Sequence, residues 1–444
     1  MSLTDTIVAI STALDEAAIS IVRMSGSEAV EIANKVFSKD LTDVKSFSAH
    51  YGQIKDPLED VVLDEVIVNV FKAPKTYTCE DIVEINCHGG IVVTKQILTL
   101  LLSQGARMAE PGEFTQRAFL NGRIDLAQAE ATLDIIEAPS EHASQFAAMG
   151  IAGSVKRLIE PLTSKMMDVI AHIETNIDYP EYTDIEQLTH EQVLPLSYEI
   201  KDEMEVILKR AQTGQIVKEG LKTVILGKPN VGKSSLLNAL LEEDKAIVTD
   251  IAGTTRDLVE GWIRLENVSL HLIDTAGLRE TEDVVEKIGI DRTKEALEKA
   301  QLAIVVLDAS EQLDEQDEMI LDMTKDMDRF VVYNKSDLVD KNNEMSISAM
   351  LGDVSSLVDA INKKYQDTQV VLNNPTLANE RQIGLMKQAY ESLLRAIEAG
   401  EMGIELDLVN IDLTASYTQL RSILSPQGEI NLLGEIFSRF CLGK

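Results

Sequence analysis

The sequence predicts a multidomain α/β and α protein: an α+β N-terminal region, a helical region, and an α/β region inserted within the helical one. Three observations carry that expectation. Short Val/Ile-rich runs bounded by turn residues fill residues 1–118. Apolar residues recur at steps of three and four over 119–215 and again over 373–444. Between them, over 216–372, apolar strand candidates alternate with helical stretches, as in a mostly parallel sheet covered on both faces.

In chain order, "DTIVAIST", "AAISIVRMSG", "DEVIVNVF" and "DIVEINCHGG" read as strands. "SEAVEIANKVF" and "IVVTKQILTLLLSQG" have helical spacing, and Gly105 is placed to stop the second. Leu162, Met166, Val169, Ile173 and Ile177 mark one core stripe; Val193, Leu196, Ile200, Met204 and Ile207 mark another. Pro180 and Pro195 punctuate these helices. "LKTVILG", "VSLHLIDT", "LAIVVLD" and "RFVVYNK" are the strand candidates of the α/β region, and helical spacing returns at Ile383, Met386, Tyr390, Leu393 and Ile397. Insertion of a whole domain is tolerated where its termini lie close together.

The chain has 444 residues, room for two to four domains at about 150 residues each. Hydrophobic residues make up 45%, yet they form no unbroken apolar run long enough to span a bilayer. "MSLTDTIVAISTALDEAAIS" carries acidic residues and lacks a basic segment, so no signal peptide is expected. Cys79, Cys87 and Cys441 form no C-x-x-C pair, which argues against a disulfide framework and suits a reducing cytoplasm. Cys87-His88 is a thiol beside a turn rather than a zinc site, which needs about three or four converging ligands. A net charge of −33 disfavours non-specific nucleic-acid binding. An RNA substrate would need a local basic surface or a basic partner.

Chemistry concentrates in the α/β region. "GKPNVGKSS" follows a strand and precedes a helix, the context a phosphate-binding loop requires. Its N–H groups and the helix N-terminus cradle phosphates, with Asn230, Val231, Gly232, Lys233, Ser234 and Ser235 as candidate contacts. Lys233 would reach the β/γ-phosphates and Ser234 would ligate Mg²⁺. Thr249, Asp250, Ile251, Ala252, Gly253, Thr254 and Thr255 run into "GTTRD", the position of a first switch, with Thr255 a second candidate Mg²⁺ ligand. Asp274, Thr275, Ala276 and Gly277 follow another strand. There the aspartate can bind Mg²⁺ through water and the Gly277 N–H can meet the γ-phosphate. Asn334, Lys335, Ser336 and Asp337 end a further strand, and the Asp337 carboxylate can accept from both guanine N1–H and the exocyclic amine. Ser348 and Ala349 would touch the base edge. Five such elements in order define a guanine-nucleotide domain. Single residues stay open: Asn230 is either catalytic or a loop cap, Arg256 catalytic or a solvated switch residue, and Glu286 catalytic or a surface helix residue. In "DTAGLRE", Leu278 stands where many GTPases place a water-orienting glutamine.

These motifs, with "EDIVEINCHGG", "AEPGEFTQRAFLNGRIDLAQAEA", "NIDYPEY", "VEKIGI" and the terminal "FCLGK", resemble the MnmE (TrmE) family of tRNA-modifying GTPases over nearly the whole length. Two segments depart: "ALDEA" (13–17) replaces the family's Gly/Pro-rich turn, and "SPQGEINLLGEIF" is several residues shorter. The resemblance implies that 1–118 dimerises and binds tetrahydrofolate, in its 5,10-methylene or 5-formyl form. It also implies that 119–215 and 373–444 form one helical domain around a GTPase domain at 216–372. It implies a homodimer working with the flavoprotein MnmG (GidA), which carries FAD, in a heterotetramer or larger complex. Together they would place an aminomethyl or carboxymethylaminomethyl group on C5 of the tRNA wobble uridine.

The same resemblance puts folate contacts on Arg23, Glu84, Arg123 and Lys444, and a functional thiol on Cys441. It puts a K⁺ site at Asn230 with Thr249, Ile251 and Thr254, and the water-orienting carboxylate at Glu286. Two other classes compete: an rRNA-binding assembly GTPase and a dimeric switch without chemistry of its own. The terminal C-x-G-K and the folate residues favour the modification enzyme.

Overall fold

The computed structural model describes residues 5–178, 190–242, 261–273, 295–339, 345–368, 374, 376–426, 430–440 and 443. It divides into two compact units, Met1–Leu133 with Leu424–Lys444, and Asp134–Ile423. Among the described residues no helix is long and apolar enough to cross a membrane.

The first unit is built on β1 (Ile7–Ile10), β2 (Ala17–Ser25), β3 (Ser48–Asp56), β4 (Val61–Phe71), β5 (Ile82–Gly89) and β6 (Arg107–Met108). Their order is β3-β4-β5-β2-β1-β6, antiparallel except for the β1–β6 pair. Helices α1 (Ala29–Val36) and α2 (Ile91–Ser103) bring Ile32, Val36, Ile97 and Leu101 into a core with Val22, Met24, Val68 and Ile85. Strand alternation sends the intervening residues the other way. Tyr51 pairs in register with Ile67, and Ile67 with Asn86, leaving an open face with exposed Tyr51 and Ile67. The expected strands and both helices of this region are present. β3 was not anticipated, because "SAHYGQIKD" is polar and its hydrophobic alternation is weak. Helix α3 (Glu113–Leu120) and helix α4 (Leu126–Glu137) follow β6.

In the second unit, α5 (Glu141–Ile151), α6 (Ser154–Asp178) and α7 (His190–Glu219) precede the inserted sheet. Leu162, Met166, Val169 and Ile173 are buried as the spacing requires, but Ile177 is 47% exposed. Val193, Ile200, Met204 and Ile207 are buried, and Leu196 is 43% exposed. Pro195 lies inside α7 rather than ending it, and Pro161 lies inside α6. A proline there removes one i→i−4 hydrogen bond and does not by itself stop a helix held by packing on its apolar face. Pro180 lies outside the described residues.

The inserted sheet comprises β7 (Leu221–Leu226), β8 (Gly261–Arg264), β9 (Ser269–Leu272), β10 (Leu302–Asp308) and β11 (Arg329–Asn334), in the order β11-β10-β7-β9-β8. All neighbours are parallel except β8 with β9. β10 is buried throughout, as a central parallel strand should be. α8 (Lys233–Glu242), α9 (Glu315–Met323) and α10 (Ser355–Lys364) belong to this region, and Leu236, Leu240, Leu357 and Ile361 join its core. α11 (Glu380–Glu401) and α12 (Leu406–Leu424) complete the helical part. Ile383, Met386, Leu393 and Ile397 of α11 are buried as expected. α13 (Ile430–Ser438) returns to the first unit, where Phe437 and Phe440 pack with Leu126 and Ala129.

Candidate functional site

The phosphate loop leaves β7 at Gly227 and enters α8 at Lys233. Gly232 has φ +96, and a Cβ there would lie 2.2 Å from Asn334 Nδ2, so this position needs glycine. Asn230 is also left-handed, at φ 63. Ser234 and Ser235 are exposed on the first turn of α8, where helical N–H groups point outward. The Lys233 ammonium donates to Gly227 O (2.8 Å) and Lys228 O (2.9 Å). Burial lowers its pKa, which favours an incoming anion as the remedy for its desolvation. Backbone donors, a lysine and a helix N-terminus form a cradle for a nucleotide phosphate.

Opposite the cradle stands "NKSD". Asn334 is buried at the end of β11 and joins two loops: its Nδ2 donates to Val231 O (2.8 Å), and its Oδ1 accepts from Ala349 N–H (3.0 Å). Lys335 adopts φ 63 and its Nζ reaches Asp308 Oδ2 at 2.5 Å. Burial pushes Asp308 up, but the bonds from Lys335 and Ser310 outweigh it and hold the carboxyl below its ordinary range. The Asp337 carboxylate accepts from the Ser348 hydroxyl at 2.6 Å and remains exposed. These bonds bring Val231, Asn334 and Ala349 together, and Asp337 with Ser348, beside Gly232 and Lys233 of the phosphate loop. Sequence reasoning missed that Asn334 is a bolt between loops; a short polar residue at a strand end carries no sign of it.

Thr249, Asp250, Ile251, Ala252, Gly253, Thr254, Thr255, Arg256, Asp274, Thr275, Ala276, Gly277, Glu286, Cys441 and Lys444 lie outside the described residues. Of the expected oxygen donors for Mg²⁺, Ser234 is therefore the one whose place is described. Its hydroxyl on the first helical turn is a hard donor of the right kind.

A second site lies on the open side of the first sheet. Arg23 on β2 and Glu84 on β5 are register partners, and the guanidinium holds the carboxylate at 2.8 Å. With Arg123 they line a cavity of about 660 Å³ that also includes Phe47, Phe71, Lys75, Tyr77 and Asn121. Arg123 lies over the Tyr77 ring at 5.0 Å, a cation–π arrangement. Arg23 also donates to Gly443 O (3.3 Å), and so does Ser11 Oγ (3.2 Å). Gly443 has φ +91, and a Cβ would meet Ile10 O at 2.5 Å, so this position needs glycine. Among the described residues, none from "ALDEA" lines this cavity. Arg23 is already neutralised by Glu84. Lys75 and Arg123 have no ion pair among the described residues and are the cations left for an anionic ligand. Aromatic walls, a carboxylate and two such cations match a flat heterocycle with an acidic tail. Tyr77, Phe47 and Lys75 were not anticipated, since they lie in turn-rich stretches without periodicity.

Behind the cavity, Arg117 is 1% exposed and binds Glu80, Asp5 and Glu113 together. Arg107 pairs with Asp5 and Glu113 from the other side. Hydrogen bonds from Arg107 hold Asp5 below the usual carboxylate range. Glu113 is pushed up by burial, but Arg107, the Glu110 N–H and Arg117 bring it below that range. Asn121 donates to Thr78 O (2.6 Å), fixing the turn that carries Arg123.

Loop, base-recognition corner and sheet order together define a P-loop GTPase fold joined to a separate α+β unit. A model of the MnmE helical domain matches residues 126–441, and one of the GTP-binding protein TrmE N-terminus matches 6–123. The chain is 48% identical to the tRNA modification GTPase MnmE of Enterococcus faecalis, across 99% of this chain and 98% of that protein. It is 44% identical to the namesake of Bacillus subtilis, across 99% of this chain and 100% of that protein. Among solved structures, the G domain of the T. maritima FeoB iron transporter aligns with 33% of this chain and 98% of its own, at 23% identity and a TM-score of 0.25. The chain belongs to the MnmE (TrmE) family of tRNA modification GTPases.

Proposed function

We propose that this chain is a K⁺-dependent, dimerisation-activated GTPase that works with the flavoprotein MnmG to modify C5 of the tRNA wobble uridine, using a tetrahydrofolate one-carbon unit. The observation that carries this reading is one chain holding two sites: a guanine-nucleotide corner at Lys233 and Asp337, and a cavity lined by Arg23, Glu84 and Arg123 beside Gly443. Glu84 suits pterin N–H donors, and Arg123 with Lys75 suits the glutamate tail. Cys441 and Lys444 flank Gly443 closely in sequence, so its seat on Arg23 supports a role for both at this cavity. The open sheet face with Tyr51 and Ile67 supports a homodimer through the first unit. FAD would reside on the partner, and the reaction would take place in the cytoplasm.

For hydrolysis, the loop N–H groups and Lys233 bind the phosphates, and Ser234 with Thr255 would hold Mg²⁺. Asn230, with Thr249, Ile251 and Thr254, would hold K⁺, which supplies positive charge to the transition state in place of an arginine finger. Glu286 orients the attacking water, a task Leu278 cannot perform. Two expectations follow. Turnover in K⁺ exceeds that in Na⁺ by about 10-fold or more, measured as phosphate release at matched ionic strength; equal rates would remove the cation from the account. Glu286→Ala lowers kcat by about 10²-fold or more with GTP affinity retained, because its role is confined to the transition state. A parallel loss of affinity would make Glu286 structural. The function as a whole is tested by mass spectrometry of wobble uridine in tRNA from cells lacking this chain: C5 modification should vanish, and an unchanged spectrum rejects the proposal.

A further inference from the structure

The second residue of the phosphate loop, Lys228, is held by three carboxylates. Its Nζ lies 3.0 Å from Glu311, 2.9 Å from Asp314 and 3.1 Å from Asp317. The Lys228 side chain is 11% exposed and that of Asp317 only 3%. Asp314 is the N-cap of α9, and Asp317 completes a capping box with it, so the carboxylates are themselves fixed by the helix start. Meanwhile the carbonyl of Lys228 accepts from the Lys233 ammonium. One residue thus ties the loop to α9 through its side chain and holds the phosphate-binding lysine through its backbone.

The same β10–α9 segment carries Asp308, which pairs with Lys335 of the base-recognition loop. Residues 308–317 are therefore fastened at one end to the base loop and at the other to the phosphate loop. We propose that Lys228 and its group Glu311, Asp314 and Asp317 form a positioning buttress that sets the phosphate loop at the right separation from the guanine-binding corner. Lys228 is not a cation available to the reacting phosphoryl group, because its charge is already committed to carboxylates on the far side of the loop. A free lysine at this loop position would be an obvious candidate for transition-state stabilisation; the three ion pairs remove it from that role. Preorganisation of this kind acts on binding, since an unfastened loop must be ordered when nucleotide arrives.

This inference rests on the GTPase reading above. The test uses the full chain, a fluorescent GDP analogue for affinity, and kcat at saturating GTP. Lys228→Met should weaken GDP binding by about 10-fold or more, with kcat within about 3-fold of wild type. Lys228→Arg, which can keep the ion pairs, should stay within about 3-fold in both. Asp314→Asn keeps a good N-cap and so tests the charge without unfolding α9. It should weaken GDP binding by a smaller factor, and its effect should largely disappear in the Lys228→Met background. Unchanged GDP affinity in both Lys228→Met and Asp314→Asn overturns the buttress, as does a collapse of kcat with affinity intact. Additive losses in the double variant overturn it too. Failure of the wild type to bind GDP overturns the GTPase reading along with it.

Discussion

Asp337→Asn will exchange the nucleotide preference of this chain from guanine to xanthine. The Asp337 carboxylate, held by Ser348 at 2.6 Å, offers two acceptors to the base. Guanine presents two donors there, N1–H and the exocyclic amine. An asparagine offers one acceptor and one donor, so guanine meets a donor–donor clash, whereas xanthine has a carbonyl in place of the amine. Sites built on such pairs discriminate by about 10⁴-fold, and about 10³-fold loss of GTP affinity is the expected scale for this partly exposed carboxylate. Fold and phosphate contacts should be untouched, because Asn334 rather than Asp337 bolts the loops together. Competition binding with GDP and XDP reads the result directly. A variant that still prefers GDP would mean that the base lies elsewhere.

Arg117→Met will destabilise the first unit by about 3–5 kcal/mol, the usual cost of stripping one partner from a buried ionic cluster. Among the described residues, Arg117 alone is bonded to Glu80, Asp5 and Glu113 at once, and Arg107 reaches only the latter two. The effect has a pH signature. Asp5 and Glu113 are held below the ordinary carboxylate values of 3.8 and 4.5 in the folded chain. Their stabilisation is therefore present above those values and is lost as pH falls through the depressed ones. Without Arg117 the depression shrinks, so the deficit of the variant is largest near neutral pH and narrows in acid. Hydrogen exchange of the β2 and β5 amides measures it without assuming that the whole chain unfolds in one step. Equal protection in both proteins at neutral pH would show the cluster to be dispensable. Amides of the α/β unit should be unaffected.

Much of this was legible in the sequence, for reasons that differ by element. β10 is visible because a strand buried on both faces must be apolar throughout, and β7 because its "TVIL" run leads straight into the phosphate loop. The phosphate loop is visible because its geometry demands glycine at 232 and a lysine at the helix start. Asp337 stands out because the proposed guanine site would need a carboxylate just beyond a strand. Other features left no local mark. β3 is held by register with β4 rather than by its own composition. Ile177 and Leu196 have the spacing of core residues and yet are exposed, since periodicity reports a stripe and not how much of it is covered. Arg117 in "PGEFTQRAFL" reads as an ordinary helical arginine; its burial follows from Asp5 and Glu80, distant in sequence. Tyr77 lines the second cavity through contacts distant in sequence, with Arg123 over its ring and Thr115 at its hydroxyl. Long-range pairs of this kind are invisible until the topology is known.

In the proposed function, GTP turnover at Lys233 and Asp337 drives chemistry at the cavity of Arg23, Glu84 and Arg123. It is tested most directly by reconstitution with purified flavoprotein partner, unmodified tRNA, methylene-tetrahydrofolate, NADH, K⁺, and ammonium or glycine in separate arms. The mass of the wobble nucleoside is read with GTP and with a non-hydrolysable analogue. The account predicts a C5 adduct with GTP and none, or a small fraction, with the analogue. Equal adduct with both would contradict it, because hydrolysis would then be idle in the modification.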